Sequence, residues 1–302
     1  MKIIISGASG DLGKKVTHFL LEHISAASLI LLTRNPTALD AESSSGLMVR
    51  HADFSHPESL PGAFQGGDIL LLISTPSAGN RVEQHQNAIH AAHVAGIKHI
   101  VYTSCCGIQP QNPSLICQQH YATEQALRDS GLTFTLLRNS WYADVIPQYL
   151  IPTMLRSGSF IASMGAGVIA PVAKDDCARV AATVLADPEH HAQATYEVTG
   201  PELLTCADIA RICSIATGRN LDYRDDTSHK ERQNLSAELG NLSPEQAAAW
   251  GSEEMLTFEL AIRQQFLSIC SHHVQQITGK RALSVAEVIE QHLHAQGQAG
   301  AA

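Results

Sequence analysis

At 302 residues the chain is long enough for one large α/β domain, or for a main domain with an appended lobe. With 44% hydrophobic and 16% charged residues it can bury a core, which excludes disorder by composition. A net charge of −9 excludes a broad nucleic-acid-binding surface, though not a small basic pocket.

In chain order, "KIIIS" (2–6) is a short apolar run, followed by "SLILLT" (28–33), "DILLLIS" (68–74), "HIVYTS" (99–104) and "FTLLRN" (134–139). Runs that are apolar at every position suit strands covered on both faces, as in a parallel sheet. "GLMVRHAD" (46–53) is a weaker strand between the second and third. Helices fall between them, over 12–24, over 81–95 ahead of Gly96, and over 117–130 ahead of Gly131. This alternation predicts an α/β, Rossmann-like doubly wound parallel sheet.

After residue 150 the pattern thins. "RSGSFIASMGAGVIAPVAKDD" (156–176) reads as Gly-rich and irregular, and Asp175 or Asp176 is placed to cap a helix near 176–186. "ATYEVTG" (194–200) reads as a late strand that returns to the sheet. Thr205 or Cys206 opens a helix that ends at Gly218. The last 80 residues are mostly helical by pattern. The expected division is a dinucleotide-binding domain over 1–150 and a smaller, mostly helical C-terminal lobe over 151–302.

The first strand begins at once, so no signal peptide is expected, and no apolar run approaches the roughly 18 residues of a membrane helix. A cytoplasmic protein is the expectation. The seven cysteines are odd in number and include no C-x-x-C, which suggests neither a disulfide framework nor a zinc site. Adjacent Cys105 and Cys106 are either redox-active or simply small strand-end residues. The 16 histidines are scattered, and no metal site is expected.

"IIISGASGDLG" sets Gly7, Gly10 and Gly13, with Ala8, Ser9, Asp11 and Leu12 between them, after a strand and at the start of a helix. Glycines there permit a tight turn and let backbone N–H groups approach a pyrophosphate at the helix N-terminus. The second strand ends "LILLTRNP". An Asp or Glu at this place would grip the ribose 2′-OH of NAD. The chain has Arg34, which suits a 2′-phosphate, so NADPH is favoured over NADH. Asp53, ending the third strand, is placed to reach the adenine amino group.

The stretches G-A-S-G-D-L-G, T-R-N-P, "LLLISTPSAGNRVEQHQNAIHAAHVAGIKHIVYTS" and "HYATEQALRDSGLTFTLLRNSWYADVIP" resemble the NmrA-like atypical short-chain dehydrogenase/reductases. The branch they are most similar to is that of the NADPH-dependent quinone oxidoreductases of type 2 and the triphenylmethane reductases. The resemblance implies cofactor contacts at Gly7 to Leu12, Arg34, Ser74, Thr75 and Pro76. It implies further contacts over Asn139 to Asp144 and over Ala170 to Asp176, the latter including Lys174. Trp141 and Tyr142 would then sit beside the nicotinamide and could stack on a flat aromatic substrate.

Extended relatives often carry Tyr-x-x-x-Lys-x-x-x-Glu on the third helix. Aligned on Glu124, the lysine position is His120 and the tyrosine position is Ile116. Tyr121 lies about 140° around the helix from residue 116 and does not replace that tyrosine. Reduction of a simple ketone makes an alkoxide near the basicity of hydroxide (conjugate acid pKa about 15.7) and needs a placed acid. Reduction of a quinone makes a phenolate-like anion, whose conjugate acid has a pKa of roughly 10. A cationic dye needs no proton. The missing pair therefore favours quinone-like or other conjugated electrophilic acceptors, dyes and azo compounds included.

His120 either assists the product anion or only hydrogen-bonds nearby groups; Tyr142 is the second catalytic candidate. Ser104 stands where relatives have a catalytic Ser or Thr, or is a structural strand-end serine. The rival reading is a non-enzymatic NADP(H) sensor, since some NmrA-like proteins bind NADP and act by contacting a regulatory protein. The expected partners are a small aromatic or quinone-like substrate, with a second copy of the chain or a regulatory protein left open. Neither nucleic acid nor membrane is among them.

Overall fold

In the computed structural model, which describes residues 1–76, 80–228 and 252–299, strand β1 (Ile3–Ile5) is three isoleucines with no exposure. Alternation sends Ile3 and Ile5 into one core layer and Ile4 into the layer on the other face. Both faces are covered, so no position of the strand tolerates a polar side chain. β4 (Ile69–Leu72) behaves the same way, with Ile69 and Leu71 on one side and Leu70 and Leu72 on the other.

Seven strands form the central sheet. Its order is β3 (Met48–His51), β2 (Leu29–Thr33), β1, β4, β5 (His99–Cys105), β6 (Thr133–Asn139) and β9 (Thr195–Val198). Every neighbouring pair is parallel. Helices α1 (Asp11–Leu21) and α7 (Lys174–Ala186) pack on one face. The short α3 (Leu60–Phe64), α4 (Arg81–Val94) and α5 (Leu115–Asp129) pack on the other. A one-turn α2 (Asp40–Ser44) follows β2. The expected Rossmann-like architecture is the one observed. Strand order reverses between β2–β1 and β4–β5, and such a reversal opens a crevice at the strands' carboxyl ends.

The lobe is built from α6 (Ile151–Ser157), β7 (Ser159–Ala162), β8 (Val168–Ile169), β10 (Leu204–Thr205), α8 (Cys206–Thr217), β11 (Asp222–Asp225), α9 (Glu253–Arg263) and α11 (Val285–Ala299). Met154, Phe160, Ile209, Ile262 and Ile289 meet in its core. The chain beyond residue 150 does not all belong to this lobe. α7 lies against α1, and α10 (His273–Thr278) packs on α7 and β9. Part of the expected helical run, residues 229–251, lies outside the described residues. No helix of the described residues is long and apolar enough to cross a membrane.

Three local expectations change. Residues 156–176 are not irregular: β7 pairs with β11 and β8 with β10. Both partners come from more than 30 residues downstream, so no local pattern announces them. α7 begins at Lys174 with Ala173 at its cap position, and Asp175 and Asp176 lie inside its first turn. There they oppose the positive helix end instead of capping it. α5 begins two residues earlier than expected because Ser114 accepts the Cys117 N–H at 3.3 Å. The helix at 206 starts as expected, with Thr205 and Asp208 forming a reciprocal capping box.

Candidate active site

The loop after β1 turns through Gly7, which has φ of +60° and accepts the Gly10 N–H at 2.9 Å. A Cβ on Gly13 would stand 2.4 Å from the Gly7 carbonyl oxygen, so only glycine lets α1 rest on the loop. This close approach leaves the unpaired N–H groups of the first turn of α1 at the mouth of a cleft. Ser9 shares a 2.9 Å hydrogen bond with Thr33 and ties the loop to the end of β2.

The cleft measures about 870 Å³ and lies at the reversal of strand order. Gly7, Ser9, Gly10, Asp11, Leu12 and Gly13 form its floor. Arg34 and Asp53 line the β2–β3 side, and Ser74, Thr75 and Pro76 line the stretch after β4. Tyr142 and Lys174 come from the chain beyond β6. All of these were candidates from the sequence. Arg34 is exposed and forms no ion pair with a described residue, so its guanidinium is available to an anion. Lys174 pairs with Asp11 at 2.8 Å across one end, and its amine stands 5.6 Å from the centre of the Tyr142 ring. Burial raises the Tyr142 phenol above its ordinary pKa, and Asn139 donates to its oxygen at 3.3 Å.

Four cofactor candidates do not line the cleft. Ala8 is buried and packs beneath the loop in the core shared with α1. Ser104 donates to Glu124 at 2.7 Å. Asn139 lies behind Tyr142. Trp141 points to the lobe and packs on its apolar core. Tyr142 joins the loop at Val172 through a backbone bridge, and alternation puts its neighbour Trp141 on the opposite side.

His120 does not line the cleft either. It is buried in a chain of hydrogen bonds that starts at the cleft wall. The Thr75 N–H donates to His85 Nε2 at 3.1 Å. That leaves the His85 proton on Nδ1, from which it donates to Thr123 Oγ1 at 3.0 Å. The Tyr102 hydroxyl lies 3.4 Å from the same Nδ1 and 2.7 Å from His120 Nδ1. Burial drives the His85 pKa down to about 3, with the Arg81 charge adding to the effect. Burial likewise holds His120 well below the ordinary imidazole value, assisted by Arg81 and His85. Both rings are neutral at pH 7.

Arg81 and Gln84 are among the cleft residues that sequence reading did not single out. Both open α4 and are 6% and 7% exposed. Arg81 Nε donates to the Thr75 carbonyl at 2.8 Å, and its guanidinium also meets Gln119 and Glu254. Gln84 donates to Ser55 at 2.8 Å, while its Oε1 is buried with no described partner. Thr75 Oγ1 is orphaned in the same way. Both orphaned atoms are closed to a water-sized solute and therefore lie behind the cleft surface. In sequence, "RVEQHQN" reads as a solvated helix face, and only the packing of α4 shows otherwise.

Comparison with known proteins agrees with this geometry. Residues 7–188 match the family model described as NAD(P)H-binding. The chain is 37% identical over 224 residues to quinone oxidoreductase 2 of Escherichia coli, covering 74% of this chain and 77% of that one. It is 27% identical over 297 residues to the NAD(P)H azoreductase of Xenophilus azovorans, covering 98% and 100%. Among solved structures, the NADPH complex of the NADPH-dependent quinone oxidoreductase of Escherichia coli superposes with a TM-score of 0.86 at 31% identity, over 96% of this chain and 99% of that one. The Citrobacter sp. triphenylmethane reductase with NADP(H) gives 0.83 at 30% identity, over 96% and 99%.

Proposed function

The chain belongs to the NAD(P)H-binding family, and on that premise we propose that it is an NADPH-dependent reductase of quinone-like and other conjugated electrophilic acceptors, dyes and azo compounds among them. The observation that carries this reading lies on α5. Where extended relatives place a tyrosine and a lysine, this chain has Ile116, packed against the apolar core of the lobe, and His120, buried and neutral. Neither can deliver a proton to an alkoxide. Acceptors whose reduced form is a weak base, or needs no proton, are the ones such a site can serve.

The residues present fit a dinucleotide. The Gly7–Gly13 loop and the α1 N-terminus suit a pyrophosphate, and the glycines leave room for close backbone approach. Arg34 suits a 2′-phosphate, and no acid stands in its place to hold a ribose 2′-OH. Asp53 suits the adenine amino group. Bound NADPH would supply the hydride. The protein's own work is then to hold both reactants in register and keep water out. Tyr142 keeps its proton because burial raises its pKa, so it offers an aromatic face and a neutral hydroxyl to an acceptor. His120 is a positioning residue: through Tyr102 and His85 it supports the Thr75 backbone at the cleft wall. Ala8, Ser104, Asn139 and Trp141 support the site from behind it.

The test is NADPH consumption with a panel of quinones and triarylmethane dyes, beside direct measurement of NADPH binding. Turnover with at least one quinone is expected. Tight NADPH binding with no turnover on any acceptor would overturn the enzyme reading in favour of a non-enzymatic NADP(H) sensor.

A further inference from the structure

Three cysteines meet where β5 ends and α5 begins. Cys105 closes β5, Cys106 follows it, and Cys117 lies in the first turn of α5. The adjacent pair is not the close one. Cys106 turns to the opposite side, and its thiol donates to the Arg138 carbonyl at 3.0 Å. Cys105 instead directs its thiol at Cys117, with the two sulfurs 3.5 Å apart. The intervening loop is pinned. Asn112 donates to the Gly107 carbonyl at 2.8 Å and accepts the Ser114 N–H at 2.9 Å. Gly107 has φ of +80°, and a Cβ there would stand 2.8 Å from the Phe266 carbonyl oxygen. The sulfur contact is thus set by a rigid connection and not by chance rotation of two free chains.

The two thiols are also unlike. Cys117 is 1% exposed, at the positive end of a 15-residue helix. Its pKa is lowered by the hydrogen bond from Cys105, against the effect of burial, with Ser114 and Asn112 assisting. Cys105 is partly exposed as a residue, while burial of its sulfur and the Cys117 contact raise its pKa above that of an ordinary thiol, so it enters the pair as the protonated partner. A protonated thiol beside a thiolate-stabilising position is the arrangement of a reactive dithiol. The cofactor cleft does not use it.

We propose that Cys105 and Cys117 form a redox modification site, a dithiol that hydroperoxides convert to an intramolecular disulfide. As Cys105 sulfur attacks the peroxide, its S–H proton passes to the leaving oxygen. The O–O bond breaks, Cys105 becomes a sulfenic acid, and the leaving oxygen departs as water, or as an alcohol from an organic hydroperoxide. Cys117 sulfur then attacks the Cys105 sulfur, the S–O bond breaks and the departing hydroxide takes the Cys117 proton, leaving as water. The two thiols lose two electrons, the peroxide gains them, and one S–S bond replaces two S–H bonds. Closing the pair takes the sulfurs from 3.5 Å to about 2.05 Å.

The experiment uses the intact chain, treated with hydrogen peroxide, blocked with an alkylating reagent, unfolded and mapped by mass spectrometry. The peptide 99–128 holds all three cysteines, and a cut after Leu115 separates Cys117 from the other two. The expected product lacks two hydrogens, carries the alkyl label on Cys106 alone, and stays joined after the cut until a thiol reductant is added. Free thiols fall from seven to five. In Cys117→Ser, Cys105 should instead run on to sulfinic acid, whereas Cys106→Ser should still close. A label left on Cys117, or all seven thiols surviving, would overturn the proposal. None of these readouts depends on NADPH or on the hydride acceptor.

Discussion

Ser104 donates its hydroxyl to Glu124 across 2.7 Å, and Glu124 is gripped in turn by Arg138 through Nε at 2.9 Å and a second guanidinium nitrogen at 2.7 Å. Glu124 is 1% exposed, so its charge depends on these partners. The strand-end serine therefore fastens β5 to α5 and β6. Glu124→Leu should cost about 3–5 kcal/mol, since it removes the bidentate partner of Arg138 and leaves that guanidinium with Glu197 at 3.1 Å. Ser104→Ala should cost about 1–3 kcal/mol by leaving a buried carboxylate short of a donor. Urea denaturation of both variants checks the order.

Arg34 is exposed at the cleft with no described ion pair, and so has no structural partner to lose. Arg34→Glu should raise the KM for NADPH roughly 10- to 100-fold, the worth of one or two charged hydrogen bonds. The KM for NADH should stay or fall. Steady-state rates with both cofactors decide it, and an unchanged preference would remove Arg34 from the 2′-phosphate site.

Gln84→Leu gives a different signature. Gln84 lines the same cleft as Asp53, which suits adenine, common to both cofactors. The substitution should weaken NADPH and NADH alike by about 3- to 10-fold, with kcat retained. Fluorescence titration of each cofactor measures this directly. A loss confined to NADPH would place Gln84 elsewhere.

Acid should unfold the protein earlier than its carboxylates alone would dictate. His85 and His99 are buried with pKa values pushed down to about 3 and about 4, and His120 is shifted the same way. Unfolded, each returns to about 6.5. Their contribution is whole above about pH 6.5 and is lost as pH falls towards the folded values, because the unfolded chain then binds more protons. Up to three extra protons give a slope of as much as ~4 kcal/mol per pH unit near pH 5. Denaturant midpoints taken from pH 7 to pH 4.5 test the steepness, and His99→Gln should flatten it.

The placement of the glycine loop and of Arg34 at the cleft was legible because it depends on local facts: a strand, a turn only glycine allows, and one residue at a strand end. Arg81 and Gln84 were not, because a polar helix turn looks solvated until its neighbours are known. His120 was half legible. Its spacing from Ile116 and Glu124 put all three on one face of α5, and that face is inward. Whether an inward face meets a cleft or a core is decided by Tyr102 and His85, which no spacing reveals. The third cysteine escaped for the same reason: sequence adjacency favoured Cys106, and the pinned loop delivered Cys117.

The order in which the sheet closes has a consequence for synthesis. β6 pairs with β5 on one side and with β9 on the other, and β9 begins at Thr195, 56 residues after β6 ends. A ribosome adding about 5–20 residues per second leaves that edge open for roughly 3 to 11 seconds. An apolar strand with unpaired backbone groups is a template for joining another nascent chain. A fragment stopped at residue 150 would carry that open edge permanently, so cutting the chain at the end of its nucleotide-binding strands should yield an aggregate and not a smaller soluble domain.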